Sequence, residues 1–505
     1  MANKIDSNST GLRIAEESSL GVLPGTPIWY PMEPNSYSDF GGEIATVARD
    51  PINPSRQRKK GVTTDLDASG GFNQDLTQNN MTRMMQGFFF ATAHEQPTTA
   101  PLNSAALLMT AVDSVNKEYE AASGLGIFGS GDIILASGFT NAGNNGIKTV
   151  TGSTAGTVVV SESLVAETPT SAAKLEVVGF KFPSADVAIS LVSGNQVRLT
   201  SAATTMTGLG LAVGDWVFLG GDAVGTKFAN NQGFARVSEI TATYLTFDKT
   251  SWEGAIEAGT GLSIHLYFGN VTKNESNPSL IVRRTYQLER TLGSDTNGVM
   301  SEYLVGAVPN ELTVNVAQAD KVTADLTFIA IDNEQRTGLV GVKSGTRPTL
   351  ATTDAAFNTS SDFSRIKLAS LSSVDSSPVP LFAFATELSL TLTNNVTPNK
   401  AIAVLGAFDT TAGTFEIGGS ITAYFADVTA VQAVRNNADI TIDMVLVKNN
   451  AGMLFDIPLM SLGGGRLNVE KDQSITLPLE MMAAESSFGH TLLFQSFSYL
   501  PNAAG

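Results

Sequence analysis

Catalysis and metal binding need particular side chains at particular spacings, and this chain offers few of them. It contains no cysteine, which removes disulfides, thiolate nucleophiles and Cys-ligated zinc together. Its three histidines, His94, His265 and His490, lie far apart, so a histidine metal centre lacks raw material. No Gly-x-Ser-x-Gly elbow occurs, nor a Ser-His-Asp order with supporting context. Carboxylates are numerous, but nothing marks two of them as an acid–base pair. Gly124-Leu-Gly-Ile-Phe-Gly129 matches the dinucleotide-binding glycine pattern. That pattern must follow a strand and open a helix, whereas here Gly131-Asp132 runs straight into an apolar strand, so a glycine-rich turn explains it. Asp65-Leu-Asp67-Ala-Ser69-Gly70 resembles the start of a calcium loop, but the twelfth position is Leu76 where a bidentate Glu is required. A turn is the plainer reading.

One cluster remains. Arg49, Arg56, Arg58, Lys59 and Lys60 are the densest basic group in a chain of 31 basic and 48 acidic residues, net charge −17. They lie among Pro51, Pro54 and Gly61, which predicts an extended loop. The alternatives to a solvated loop are an inter-subunit contact with a neighbour's carboxylates and nucleic-acid binding. The last is weak because no aromatic residues are interleaved and the whole chain is acidic.

The elements that would position these residues are mostly strands. Charged residues make up 16% of the 505, below the ~25% of an average globular protein. Period-two alternation recurs at 311–316, 322–328, 387–393 and 440–446, with Gly/Asn/Asp/Ser turns between, as in antiparallel sandwiches or barrels. Met81, Met84, Met85, Phe88 and Phe89 predict an amphipathic helix over 80–93, its stripe a core face. Asp427 can cap a second, short helix carrying Val428, Val431 and Val434 and ended by Asn436-Asn437. Residues 340–380, rich in Ser and Thr, read as a linker or long loop. The N-terminus is polar and no apolar run approaches a membrane span, so the expectation is a soluble protein made in a cytoplasm.

The middle of the chain holds a diverged repeat. Gly131-Asp-Ile-Ile-Leu is echoed by Gly214-Asp-Trp-Val-Phe, and Asn145-Gly-Ile-Lys-Thr-Val150 by Gln232-Gly-Phe-Ala-Arg-Val237. These predict two small β-barrel units, inserted at 104–180 and 181–278.

The flanking segments carry a resemblance. Gly21-Val-Leu-Pro-Gly-Thr-Pro, then Arg49-Asp-Pro-Ile-Asn-Pro-Ser-Arg-Gln-Arg-Lys-Lys-Gly61, then Asp65-Leu-Asp-Ala-Ser-Gly-Gly-Phe-Asn-Gln-Asp-Leu-Thr follow one another in 21–82. Gly413-Thr-Phe-Glu-Ile-Gly-Gly-Ser-Ile-Thr-Ala-Tyr-Phe425 precedes the second helix and the strand 439–447. In this order the segments resemble the tail tube (major tail) proteins of long, non-contractile-tailed bacteriophages, the siphophages. The resemblance implies a mainly β fold, a tail-tube β-sandwich or barrel with a short flanking helix. Length and order suggest that it is duplicated. One copy would span 1–100 and 279–350, the second 355–505, with the β-barrel units outside the wall.

The implied function is structural and not enzymatic, with no cofactor, metal or membrane. Subunits would self-associate into rings stacked into a tube, an acidic channel that DNA passes without specific binding. Three duplicated subunits would give a ring of pseudo-sixfold symmetry, a hexamer being the alternative. Tape measure, tail terminator and tip proteins are the implied partners. The location is the virion tail, after synthesis in the host bacterial cytoplasm. A carbohydrate-binding or adhesive multi-domain β-protein is the competing class, but Trp29, Trp216 and Trp252 are scattered rather than clustered.

Overall fold

Alternating strands have open edges, and they are satisfied here by pairing into two large antiparallel sheets of sixteen and thirteen strands. The structure, a computed structural model, describes residues 5–52, 54–295, 298–349 and 355–504. Residues 1–4 of the polar N-terminus, Asn53 in the basic segment and 350–354 in the Ser/Thr-rich stretch lie outside them.

The sixteen-stranded sheet is built from one unit used twice. In the first unit the long hairpin Pro34–Arg49 and Lys59–Asp75 is followed by helix α1, Thr82–Phe89. A second hairpin, Tyr286–Asp295 and Gly298–Ala317, and a last strand, Thr323–Ala330, complete it. The last strand slots between the two hairpins, and Gly11–Glu16 pairs on the far side of Tyr286–Asp295. The second unit repeats this order: hairpin Ala385–Thr393 and Glu416–Tyr424, helix α2 (Thr429–Arg435), hairpin Ile440–Lys448 and Ala451–Gly464, and last strand Thr476–Ala483. Phe363–Ser370 takes the place of Gly11–Glu16. The fold is thus mainly β and duplicated, with a short helix beside each sandwich. Sequence similarity between the halves is faint because the strand pattern constrains side-chain polarity, not identity.

The two units join edge to edge within the chain. Glu311 to Ala317 pair in register with Thr393 to Glu387, and one apolar core runs beneath both. Helix α1 is shorter than the pattern predicts, because Phe90 adopts a left-handed conformation, φ +48°, that stops it. Its Met84, Met85, Phe88 and Phe89 are buried as expected, and Phe88 meets Phe328 edge-on at 5.6 Å. In helix α2, Val431 and Val434 pack against the core as the pattern predicts, beside the buried Ala430 and Ala433, while Val428 is exposed. Asp427 accepts from the Thr429 amide at 2.7 Å, as a cap would. Within the 340–380 stretch read as linker, Phe363–Ser370 is a strand. Ile366 and Leu368 pack on the core, but the intervening Arg365 and Lys367 break the apolar pattern, which hid the strand from a hydropathy reading.

The inserted region forms the thirteen-stranded sheet as two small barrels of identical strand order. Met109–Asp113, Glu118–Ala121, Thr157–Val160, Gly146–Ser153, Asp132–Ser137 and Lys174–Lys181 neighbour one another in that order in the first. Val187–Val192, Gln196–Ser201, Tyr244–Thr250, Gly233–Ile240, Trp216–Leu219 and His265–Tyr267 do so in the second. The repeated Gly-Asp motifs open equivalent strands, and both Gly131 and Gly214 sit at φ +95°, where a side chain is strained. Asn270–Lys273, within the 181–278 span, pairs instead with Leu493–Phe497 at the edge of the second sandwich.

Candidate functional site: an acidic sheet face and its open edges

The strands Thr323–Ala330, Ala385–Thr393 and Thr476–Ala483, with the second halves of Lys59–Asp75 and Gly298–Ala317, bury alternate residues, so the other alternate set forms a second face directed away from the core. Across the joined sheet that face carries Asp65, Asp67, Asp75, Glu311, Asp325, Glu387, Glu416 and Glu480, each beside a buried neighbour. No strand position on the face between these acids is Lys or Arg. A polar ladder ties the strands together. The Asn73 and Asn315 side-chain amides donate to opposite oxygens of Asp325 at 2.7 and 2.6 Å. The Thr313 and Thr391 hydroxyls meet at 3.1 Å across the seam between the units. Cations reach the face only at its margins: Lys321 pairs with Asp75 at 2.6 Å, and Lys400 bridges Asp65 and Asp67. The hydrogen bond from Lys400 holds the Asp65 carboxyl below the usual carboxylate range. Asp65 and Asp67 therefore lie on a strand, not in the turn their spacing suggested. Among the described residues no group of three His, Asp or Glu side chains converges as a metal site.

The first hairpin extends past the sheet, its two strands pairing there only with each other. The five basic residues sit at its end. Arg49 closes one strand and lies opposite Lys59, Lys60 follows, and Arg56 and Arg58 belong to the connecting turn, Arg56 at φ +59°. All five are exposed. The extended loop of the sequence reading is thus a hairpin tip, and the structure brings all five cations together. Ile44, Val47 and Val62 are exposed on the same ribbon. The matching hairpin of the second unit, Ala385–Thr393 with Glu416–Tyr424, ends in a separate two-stranded ribbon, Thr397–Lys400 and Ala407–Thr411, with Ile402, Leu405 and Phe408 exposed.

The barrels are fastened to the second sandwich by a buried interface that sequence reasoning missed. Trp216, Phe218, Phe234 and Tyr267 pack against Val445, Leu454, Leu493 and Phe497. The Gln495 side chain donates to the Trp216 carbonyl at 2.7 Å and accepts from its amide at 2.9 Å. Among these apolar groups lie six fully or nearly buried charges. Arg236 pairs with Asp248 at 2.8 Å and with Asp456 at 3.1 Å, while Lys249 and Arg365 both pair with Asp443. Burial pushes the Asp443 carboxyl up, but the two cations outweigh it and hold it below its ordinary range. Burial draws Lys249 down although Asp443 and Asp456 pull the other way. The sequence signal was available: Asp443 interrupts Ile-Thr-Ile-Asp-Met-Val-Leu-Val, and Asp456 interrupts Met-Leu-Phe-Asp-Ile. A lone charge inside an apolar strand must find a partner.

Each barrel also contains an asparagine–glutamate clamp. The Thr140 and Asn141 amides and the Asn144 side chain donate to Glu167 at 2.6, 3.0 and 2.8 Å. Ala229, Asn230 and Asn231 do the same for Glu257 at 2.6, 3.1 and 2.9 Å. Desolvation pushes the Glu167 carboxyl up, but these donors together carry it down to about 2. The clamp pins the loop that precedes the repeated Gly strand, and so belongs to folding rather than catalysis.

The arrangement is a surface for assembly: an acidic sheet face, unpaired strand edges, and a cationic tip. No curated protein matches the chain significantly. The family model described as phage tail tube protein matches residues 7–483, both sandwiches and the inserted barrels included. A duplicated sandwich with a helix beside each copy and a match of that extent make this chain a member of the phage tail tube protein family, a structural component of the virion tail that self-assembles into a tube.

Proposed function

We propose that three copies close into a ring of pseudo-sixfold symmetry, and that rings stack into a tube whose lumen is the acidic sheet face. The observation that carries this reading is the seam inside the chain. Two sandwiches of the same strand order already stand side by side, joined by seven consecutive ladder pairs from Glu311–Thr393 to Ala317–Glu387. Repeating that step joins the second sandwich of one copy to the first of the next, and heterologous contacts of this kind close when the rotation permits. The seam favours the three-chain ring over six copies of a single sandwich, because each chain supplies two.

A lumen lined by Asp65, Asp67, Glu311, Asp325, Glu387, Glu416 and Glu480 repels the phosphates of DNA, which can then slide without adhering. The wall would comprise 1–100 with 279–350 and 355–505, and the barrels, carried on the opposite side of the second sandwich, would lie outside. Arg49, Arg56, Arg58, Lys59 and Lys60, at the tip of the hairpin that carries Asp65 and Asp67, suit contact with carboxylates of the adjacent ring. The polymer would end on tail terminator and tip proteins and enclose a tape measure protein, as in the long non-contractile tails that the sequence resembles. Electron microscopy of the purified protein tests the reading. Stacked rings with threefold averages and six inner lobes are expected, whereas monodisperse monomers at high concentration would overturn it.

A further inference from the structure

The two sandwiches can be superposed residue by residue through their ladders. Phe72 faces Tyr37 in the first, and Ile421 faces Leu388 in the second. Leu326 faces Phe72, and Leu479 faces Ile421. Tyr37 therefore corresponds to Leu388. Thr323 faces Asp75, and Thr476 faces Tyr424. Asn315 pairs with Thr323, while Asn468 bridges Thr476. Asn315 thus corresponds to Asn468, Val314 to Leu467 and Val316 to Val469.

This correspondence exposes an incomplete seam. Val316 lies opposite Leu388 and is 8% exposed. Its counterpart Val469 is 67% exposed. The strand Ala451–Gly464 stops before it, at Gly464 and Gly465 with φ +75° and +86°. Leu467 still packs on the core, as Val314 does. On the other side, Pro34–Arg49 pairs with Lys59–Asp75, and among the described residues no strand covers its outer edge. Beside Tyr37 opens a cleft of about 690 Å³ lined by Ser7, Gly11, Met32, Ser36 and Tyr37. At the equivalent place in the internal seam, Val316, Ala317 and Ala319 occupy the space beside Phe363 and Leu388, leaving about 150 Å³.

We propose that residues 467–470 of one copy add as a strand to residues 36–38 of a second copy, with Val469 opposite Tyr37 and seated in this cleft. The occupant is a second copy because the chain already makes the same contact with itself once, through Val316 and Leu388. The inference rests on the ring reading and deepens it: it names the closing strand and its register. The double glycine interrupts the strand in the lone chain, leaving Asn468 bridged to Thr476 and Val469 exposed until a neighbour supplies an edge to pair with.

The absence of cysteine makes the test clean. Val469→Cys with Tyr37→Cys puts two thiols at directly opposed ladder positions, where Cβ atoms approach to about 5 Å and a disulfide can close with slight adjustment. Mild oxidation of assembled rings should link neighbouring chains covalently. Moving the first thiol by one residue, Glu470→Cys with Tyr37→Cys, should reduce linkage at least tenfold, since adjacent strand residues point to opposite faces. Val316→Cys with Leu388→Cys is the geometric control and should close within one chain. Rings that form, with the control pair closed but no 469–37 link, would overturn the register while leaving the ring reading intact. Failure of the unmodified protein to form any ring would overturn both. Val469→Asp supplies an independent arm. Its side chain is exposed in the single chain, so the monomer should melt normally while the assembled fraction falls at least tenfold; normal assembly of this variant would also overturn the proposal.

Discussion

At the residue scale, buried charge and clamped carboxylates make distinct predictions. Asp443 has no exposed side-chain surface and holds two cations. Asp443→Asn deprives the buried Lys249 of its paired carboxylate, leaving it the Thr441 hydroxyl at 3.2 Å, the Lys367 carbonyl at 3.5 Å and the more distant Asp456. Removing one partner of a buried pair costs about 3–5 kcal/mol, so urea unfolding should show a loss of that size. Replacing the carboxylate together with both of its cations, Asp443→Leu with Lys249→Met and Arg365→Met, should cost much less; equal losses would mean that the ion pairing is not the source. Glu167 is held at about 2 in the folded chain against an ordinary 4.5. Between those values the unfolded carboxyl takes up a proton that the folded one refuses. The clamp's contribution is therefore complete above about pH 4.5 and lost as pH falls towards 2. Glu167→Gln should flatten this part of the pH–stability curve, measured by thermal melts; an unchanged slope would locate acid sensitivity elsewhere.

At the scale of elements, the hairpin tip has the sharpest consequence. Arg49 lies across from Lys59, and like charges opposed on a ladder weaken it. A tip that stays cationic against its own stability fits a role in meeting carboxylates of another subunit. Charge reversal at Arg56, Arg58, Lys59 and Lys60 should shorten tubes, and more so at low salt, where repulsion is least screened. Tube lengths from micrographs across a salt series decide the matter, and lengths equal to wild type would remove the tip from assembly. Both helices could be read from apolar residues, α1 from its Met and Phe stripe and α2 from Val431 and Val434, while the buried Ala430 and Ala433 are too small to stand out in a hydropathy pattern.

At the scale of the whole molecule, the barrels have a core of their own yet are not loosely hung. Residues such as Leu175, Val197, Phe247 and Leu266 form an apolar cluster separate from that of the two sandwiches. The interface with the second sandwich adds another. The inserted span 104–278 can be excised behind a short Gly/Ser linker. The structure shows that the cut would expose Val445, Leu454, Leu493 and Phe497 and deprive Asp456 of Arg236. The excised protein is therefore expected to aggregate. Adding Leu454→Ser and Phe497→Ser should restore soluble, ring-forming material in negative stain. An excised protein that forms clean rings without those changes would mean the interface contributes little.

What the sequence determined by itself was local. Period two in 311–316, 322–328, 387–393 and 440–446 is a property of neighbouring residues, so the strands and their inner faces were legible. The barrel repeat was legible too, because Gly131 and Gly214 need a conformation that only glycine adopts without strain. The acidic balance was countable, but its gathering onto one face was not, since Asp65, Glu311, Asp325, Glu387 and Glu480 are neighbours only through strand pairing. The seam, the hairpin tip and the Arg236–Asp456 contact were decided by tertiary structure alone. Arg236 and Asp456 are 220 residues apart in the chain, and nothing in either segment names the other. Such partners are selected by which edges and faces the folded sheets leave open, a choice made by the whole chain at once.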